Sequence, residues 1–263
     1  MTHRGEEPAI SGTQGSGTIF FSHCNMACSY CQNYEFSQKG EGREVDLQEL
    51  AQFMLALQQL GCHNINLVTP THVMPQILKS LRIAINKGLN LPLVYNTGGY
   101  ELPRIIKLLD GIVDIYLPDM RYTDNNPATS YSSAPGYPKY NQESVKQMHN
   151  QVGIARMDAK GIITKGLIIR HLVLPNDIAG TKKIMEFISQ NLSRDTYISL
   201  MSQYQPCYMA KDIEGGRKLS RRITYEEYEF AQAAMQKSGL HNGWIQESGG
   251  LERFLGTNIK PNL

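Results

Sequence analysis

The stretch 15–31, GSGTIFFSHCNMACSYC, decides how this chain is read. Residues 18–22 (TIFFS) are an apolar, β-prone run behind Gly15-Ser16-Gly17, the pattern of a short strand. Immediately after it come Cys24, Cys28 and Cys31, a C-x3-C-x2-C spacing that sets three thiols in one loop. Glycines that precede a strand, with no helix after them, are not a phosphate loop, which needs strand, glycines and helix in that order.

Outward from this point the chain alternates short apolar runs with amphipathic stretches about six times. Residues 64–69 (NINLVT), 91–96 (LPLVYN), 112–117, 166–174 (GLIIRHLVL) and 197–203 read as further strands. Helices are expected over 46–60, 75–87, 102–109, 142–159, 181–191 and from Thr224 to about Gly239. Asp46 with Glu49, and Thr224 with Glu227, are capping-box pairs that mark two of the starts. Residues 122–140, rich in Pro, Tyr, Ser and Asn, read as a long surface loop, and 205–222 as another. Strand–helix units joined by right-handed crossovers give an α/β fold with a parallel sheet or barrel. Six units instead of eight leave that barrel partial. Chemistry in parallel barrels collects at the C-terminal ends of the strands, which is where the three thiols fall. One domain is expected over 1–263, with 1–15 as an N-terminal extension, 16–240 as the core and 241–263 as a tail.

Composition narrows the class. The 26 Lys+Arg against 24 Asp+Glu leave a net charge of +2, which gives no electrostatic case for nucleic acid or an anionic membrane as partner. Charged residues interrupt every apolar run before membrane length, and residues 1–10 lack a basic-then-apolar signal pattern, so a cytoplasmic protein is expected. In that compartment five cysteines are not a disulfide framework. Three close thiolates are soft ligands suited to an iron–sulfur cluster or to zinc. Structural zinc needs a fourth ligand, and neither Cys62 nor Cys207 stands in a paired motif. A zinc clip completed by a distant histidine therefore stays beside the cluster reading. His23 adjoins Cys24 and is left out of the ligand set, His72 reads as the start of a helix, and His171 as structural, on the strand face opposite Arg170.

The segment Cys24–Cys31, with Tyr30 just before the last cysteine, resembles the signature of the radical S-adenosylmethionine superfamily. Residues 15–38, 64–71 (NINLVTPT), 96–100 (NTGGY), 114–121 (DIYLPDMR), 169–176 (IRHLVLPN) and 199–206 (SLMSQYQP) resemble its pyruvate formate-lyase activating enzyme homologues. The resemblance implies a partial (β/α)6 TIM-like barrel and a 4Fe-4S cluster on Cys24, Cys28 and Cys31. The cluster's open iron would chelate S-adenosyl-L-methionine, whose reductive cleavage gives a 5′-deoxyadenosyl radical. Cofactor contacts carried over are Tyr30 at adenine, Thr69, Pro70 and Thr71 after the second strand, Asn96, Thr97 and Gly98 after the third, and Asp119 and Arg121 after the fourth. Arg170, a charge in an apolar strand, needs a carboxylate or ribose partner. Where the superfamily often has Gly-Gly-Glu, this chain has Thr69-Pro70-Thr71, so no carboxylate is expected there. Members often carry a longer N-terminal stretch. The implied activity is that of a glycyl-radical-enzyme activase acting on a protein substrate, with a flavodoxin- or ferredoxin-type electron donor. Other expectations are a radical enzyme for another macromolecule or small metabolite, and a non-catalytic metal-cluster interaction protein. The lack of further paired cysteines argues against an auxiliary cluster.

Overall fold

The computed structural model describes residues 1–212 and 218–246. In chain order they form β1 (Thr2–His3), α1 (Pro8–Ser11), β2 (Ser16–Phe20), α2 (Tyr34–Ser37), α3 (Leu47–Gln59), β3 (Ile65–Val68), α4 (Met74–Asn86) and β4 (Leu93–Thr97). There follow α5 (Pro103–Leu108), β5 (Ile115–Pro118), α6 (Asn125–Ser132), α7 (Tyr137–Val152), β6 (Arg156–Met157), β7 (Ile163–Leu172), α8 (Thr181–Asn191), β8 (Tyr197–Met201), α9 (Tyr225–Lys237) and β9 (Gly243–Ile245). The sheet runs β1-β2-β3-β4-β5-β7-β8-β9, parallel from β2 onward, with β1 antiparallel at one edge and β6 pairing off β7. This is the curled, partial α/β barrel that the strand–helix alternation implied.

The two expected caps form. Asp46 accepts from the amides of Gln48 and Glu49, and Thr224 closes a reciprocal capping box with Glu227. Alternation along the strands sends Leu67, Tyr95, Tyr116, Leu167 and Ile169 outward onto α3, α4, α7 and α8 in one large core. Val94, Ile115, Leu117 and Ile168 point inward and pack on Ala9 and Ile10 of α1. The N-terminal segment therefore plugs the barrel. Ile10 is fully buried, a contact that stabilises by about 1.5–3 kcal/mol, and its carbonyl accepts from the Asn64 amide at 2.8 Å.

Three expectations are corrected. Residues 122–140 are not a loop: Asp124 caps α6, Ser133 ends it in the left-handed region, and α7 begins at Tyr137, five residues before the expected start at 142. Weak helix propensity is overridden there by the burial of Tyr122, Ala128, Ala134 and Tyr137. The helix expected to reach 159 stops at Val152, because Gly153 (φ 68°) turns the chain toward the β6–β7 hairpin. Residues 243–245 extend the sheet as β9, where a tail was expected. The expected loop at 205–222 lies partly outside the described residues. No helix among those described is long and apolar enough to cross a membrane.

Candidate active site

At the C-terminal ends of the strands lies a cavity of about 270 Å³ whose wall includes Cys24, Cys28 and Cys31. The cysteine loop is held from both sides. The amides of Ala27 and Ser29 donate to the carbonyls of Ser132 and Tyr131 at the end of α6, and the Met209 amide donates to the Ser29 carbonyl. Met26 N–H donates to Cys24 Sγ at 3.4 Å, and Cys31 Sγ lies 3.2 Å from Ser37 Oγ. Burial pushes the Cys24 thiol up to about 11 and raises that of Cys28. Without a metal these two thiols hold their protons at neutral pH, which makes them poor nucleophiles. Cys62 is buried in the outer core, away from this loop. Cys207 is nearer than its isolation in sequence suggested: its thiol donates to the Tyr30 carbonyl at 3.2 Å.

Tyr30 lines the cavity, but its hydroxyl is engaged inside the protein, 2.6 Å from Tyr122 Oη, which also meets Ser132 Oγ at 2.7 Å. Its ring meets Tyr204 edge-on at 5.6 Å. Thr69, Asn96, Thr97, Gly98, Asp119, Arg121 and Arg170 all line this same cavity. Thr69 sits at φ 58°, an uncommon conformation for a β-branched residue, while its amide donates to the Asn96 carbonyl at 2.9 Å. Pro70 and Thr71 are not among the lining residues.

Thr71 instead donates to Glu101 Oε1 at 2.6 Å, and Thr97 donates to the same oxygen at 2.5 Å. A carboxyl group therefore does stand behind the ends of β3 and β4, supplied by the next loop. Glu101 is buried, its Oε2 has no hydrogen-bond partner, and burial pushes its pKa up to about 7 against the threonine and tyrosine hydroxyls that favour the anion.

Asp119 is the hub of the floor. Arg170 Nε donates to its Oδ1 at 2.8 Å and Arg121 Nη2 to its Oδ2. Burial alone would raise its pKa, but the two guanidinium groups outweigh burial and hold the carboxyl below its ordinary range. Arg170 thus has the carboxylate partner that its buried strand position required. Tyr137 Oη donates to the carbonyls of Gly98 and Asp119 at 2.9 and 3.0 Å and accepts from the Arg121 amide. Asn141 ties Gly99 to Asp119 in the same way. Gly99 (φ 77°) is needed here, since a Cβ would lie 2.2 Å from the Asp119 carbonyl. His171 is structural as expected, fully buried between the Met120 carbonyl and Thr181 Oγ1. His72 begins the turn before α4 and meets the Ser22 carbonyl.

Glu6, Glu101, Tyr137 and Asn141 escaped the sequence reading. The Glu6-Glu7-Pro8 run was its one visible trace of a built N-terminal segment: two acids ahead of a helix-starting proline.

A model of the Radical SAM superfamily matches residues 18–188. An uncharacterized protein of Methanocaldococcus jannaschii is 32% identical over 248 residues, which covers 90% of this chain and 66% of its own length. The fold is shared with Streptococcus suis SuiB bound to precursor peptide SuiA (TM-score 0.58, 9% identity, 90% of this chain and 50% of that one). It is shared equally with native anSMEcpe with bound AdoMet (0.55, 11%, 86% and 64%) and with the FeFe-hydrogenase maturase HydG from Carboxydothermus hydrogenoformans (0.52, 13%, 90% and 55%). This chain spans between half and two thirds of the length of these relatives. The superfamily uses a 4Fe-4S cluster and S-adenosylmethionine, and the residues present fit both. Three soft thiols share one cavity with hydroxyl, amide and carboxylate groups. Among the described residues no three His, Cys, Asp or Glu side chains are gathered to hold a single metal ion. A cluster asks less convergence of its thiolates, because each binds a different iron.

Proposed function

The chain belongs to the radical SAM superfamily, and we propose that it abstracts a hydrogen atom from a peptide segment of a partner protein, as a glycyl-radical-enzyme activase does. Cys24, Cys28 and Cys31 would hold the cluster, with a flavodoxin- or ferredoxin-type protein as electron donor in the cytoplasm. Thr69, Asn96, Thr97, Gly98, Asp119, Arg121 and Arg170 would surround S-adenosylmethionine, and Tyr30 would face adenine with its ring, its hydroxyl being engaged elsewhere. Pro70 and Thr71 act from behind, Thr71 through Glu101. Bound together, the reduced cluster and S-adenosylmethionine supply a 5′-deoxyadenosyl radical.

The residues of the chain do the positioning. Asp119 accepts from both guanidinium groups and fixes their N–H donors along the floor. Tyr137 and Asn141 lock the ends of β4 and β5 at fixed separation. The observation that supports a peptide substrate is the open barrel. Among the described residues the sheet runs from β1 to β9 without closing, and the cavity rim is polar, with Gln32 exposed and Gln203 and Gln205 half-buried. A segment of another protein entering there would itself exclude water. The segments that resemble activating-enzyme homologues, and the peptide bound by the neighbour SuiB, point the same way.

The test uses lysate of the source organism with deuterium at glycine α-carbons, mixed anaerobically with reduced, cluster-loaded protein and S-adenosylmethionine. Deuterated 5′-deoxyadenosine and a protein-bound glycyl signal by electron paramagnetic resonance are expected. Deuterium that appears only with a small-metabolite or RNA fraction would replace this reading by the other one.

A further inference from the structure

We propose that Glu6 makes this cavity a cation-accepting site, taking either the sulfonium of S-adenosylmethionine or an ammonium group of the hydrogen donor. The segment that carries it is part of the barrel. The terminal amine of Met1 donates to the Thr18 carbonyl, β1 pairs with β2, and α1 seals the interior with Ile10. Between these anchors the chain brings His3, Gly5 and Glu6 onto the wall of the cavity that Asp119 and Arg170 also line.

The charges there do not balance. Arg170 faces Asp119, Glu7, Glu6 and Arg121, so three carboxyl groups meet two guanidinium groups. Both guanidinium groups are already committed to Asp119: Arg170 through Nε at 2.8 Å, and Arg121 through Nη2. What remains for Glu6 is a distant contact, Arg170 Nη1 at 3.9 Å from Oε2. His3 Nδ1 is also 3.9 Å away, but that nitrogen accepts from the Gly5 amide and so has no proton to offer Glu6. Burial further lowers the basicity of His3. Among the described residues no lysine lines the cavity. The Glu6 side chain is only 9% exposed, so water does not solvate it freely. Behind it, Glu7 is buried with Oε2 unpartnered.

A buried carboxylate left over after the internal pairs are made needs either a proton or an incoming cation. Burial, reinforced by Glu7, pushes Glu6 up to about 7, with Arg170 and Asn66 opposing. Without such a cation Glu6 is thus poised between those two states. An arriving sulfonium or ammonium takes the place of the proton, and a neutral analogue of the same shape does not.

We rest this on the cavity being the cofactor site and not on the identity of the hydrogen donor. The test compares cluster-loaded wild type, Glu6→Gln and Glu6→Asp, with iron content and thermal unfolding as folding controls. Dissociation constants are measured for S-adenosylmethionine and for its neutral thioether, S-adenosylhomocysteine. Binding of n-propylammonium and of neutral n-propanol is followed by ligand-observed NMR, with and without S-adenosylmethionine. Glu6→Gln is expected to cut one of the two cation-to-neutral preferences about tenfold, the loss of one nearby charge, while Glu6→Asp retains most of it. A fall in the first ratio assigns the cation to the cofactor, and a fall in the second assigns it to the substrate. Unchanged ratios in Glu6→Gln, including an equal loss for all ligands, would overturn the proposal. Failure of wild type to bind S-adenosylmethionine would instead sink the cofactor reading, and the propylammonium arm would still decide the role of Glu6.

Discussion

Glu101→Gln should stabilise the protein at pH 8 and leave it nearly unchanged at pH 5. The carboxyl is buried and receives two threonine hydroxyls on Oε1, while its Oε2 has no partner. No cation is among the groups that act on it, so burial dominates and pushes it from 4.5 to about 7. For an acid raised in the folded state, the folded protein binds the extra proton between those two values. Its contribution to stability is therefore fully present below pH 4.5 and is lost as the pH rises to about 7. Each unit of displacement is worth about 1.4 kcal/mol, so the penalty at pH 8 is on the order of 3 kcal/mol. Glutamine keeps Oε1 as the acceptor for Thr71 and Thr97, carries no titratable proton, and turns an N–H donor toward the position of Oε2, beside the buried hydroxyl of Tyr95. The assay is urea unfolding of wild type and variant at pH 5, 6, 7 and 8, followed by the fluorescence of Trp244, the single tryptophan. Glu6 titrates in the same window, so the wild-type slope holds both groups and only the difference between the proteins reports Glu101. A difference that does not grow with pH, or a variant less stable at pH 8, would refute the reasoning.

The remaining expectations are more direct. Replacing Cys24, Cys28 or Cys31 by Ala should abolish the four-iron cluster on anaerobic reconstitution, while Cys62→Ala and Cys207→Ala keep the wild-type iron content and absorbance. Asp119→Ala leaves the Arg170 and Arg121 guanidinium groups unpaired, so calorimetry should show S-adenosylmethionine binding lost and unfolding made easier by about 3–5 kcal/mol. Thr71→Ala, whose hydroxyl reaches Glu101 and not the cavity, should weaken the same binding less than Asp119→Ala. Gly99→Ala forces a Cβ to within 2.2 Å of the Asp119 carbonyl at a positive φ, and thermal unfolding should register a loss of about 2 kcal/mol or more.

Much of this architecture is local in origin and so was legible from the chain. Apolar runs such as 64–69 and 166–174 sit between amphipathic helices, Asp46 and Thr224 mark two helix starts, and period and capping are properties of neighbouring residues. The same holds for the cysteine loop, whose place at a strand end follows from its position directly after residues 18–22. The Asp119–Arg170 pair was half legible: a charge inside an apolar strand demands a partner, but which carboxylate answers depends on β5 lying beside β7. The block 122–140 misled for the opposite reason. Its proline, serine and tyrosine content disfavours an isolated helix, and α6 and α7 exist because Tyr122 just ahead of α6 and Tyr137 at the start of α7 are buried against the cysteine loop and the ends of β4 and β5.

The two carboxyl groups show where local reading stops. After the second strand the chain has Thr69-Pro70-Thr71, and a search confined to that motif finds no acid. Glu101 arrives behind those threonines from the loop after β4, thirty residues beyond Thr71, and Glu6 arrives from the plug at the other end of the chain. Each is invisible to spacing rules because its neighbours in space are distant in sequence. Each also has its pKa raised by burial, which only the packed barrel provides. The barrel gathers three carboxyl and two guanidinium groups at its floor, and close hydrogen bonds join only Asp119, Arg121 and Arg170. The unsettled carboxyl groups are those of the N-terminal segment, Glu6 and Glu7. That segment, which reads as an appendage, therefore sets the charge of the site that the three cysteines mark.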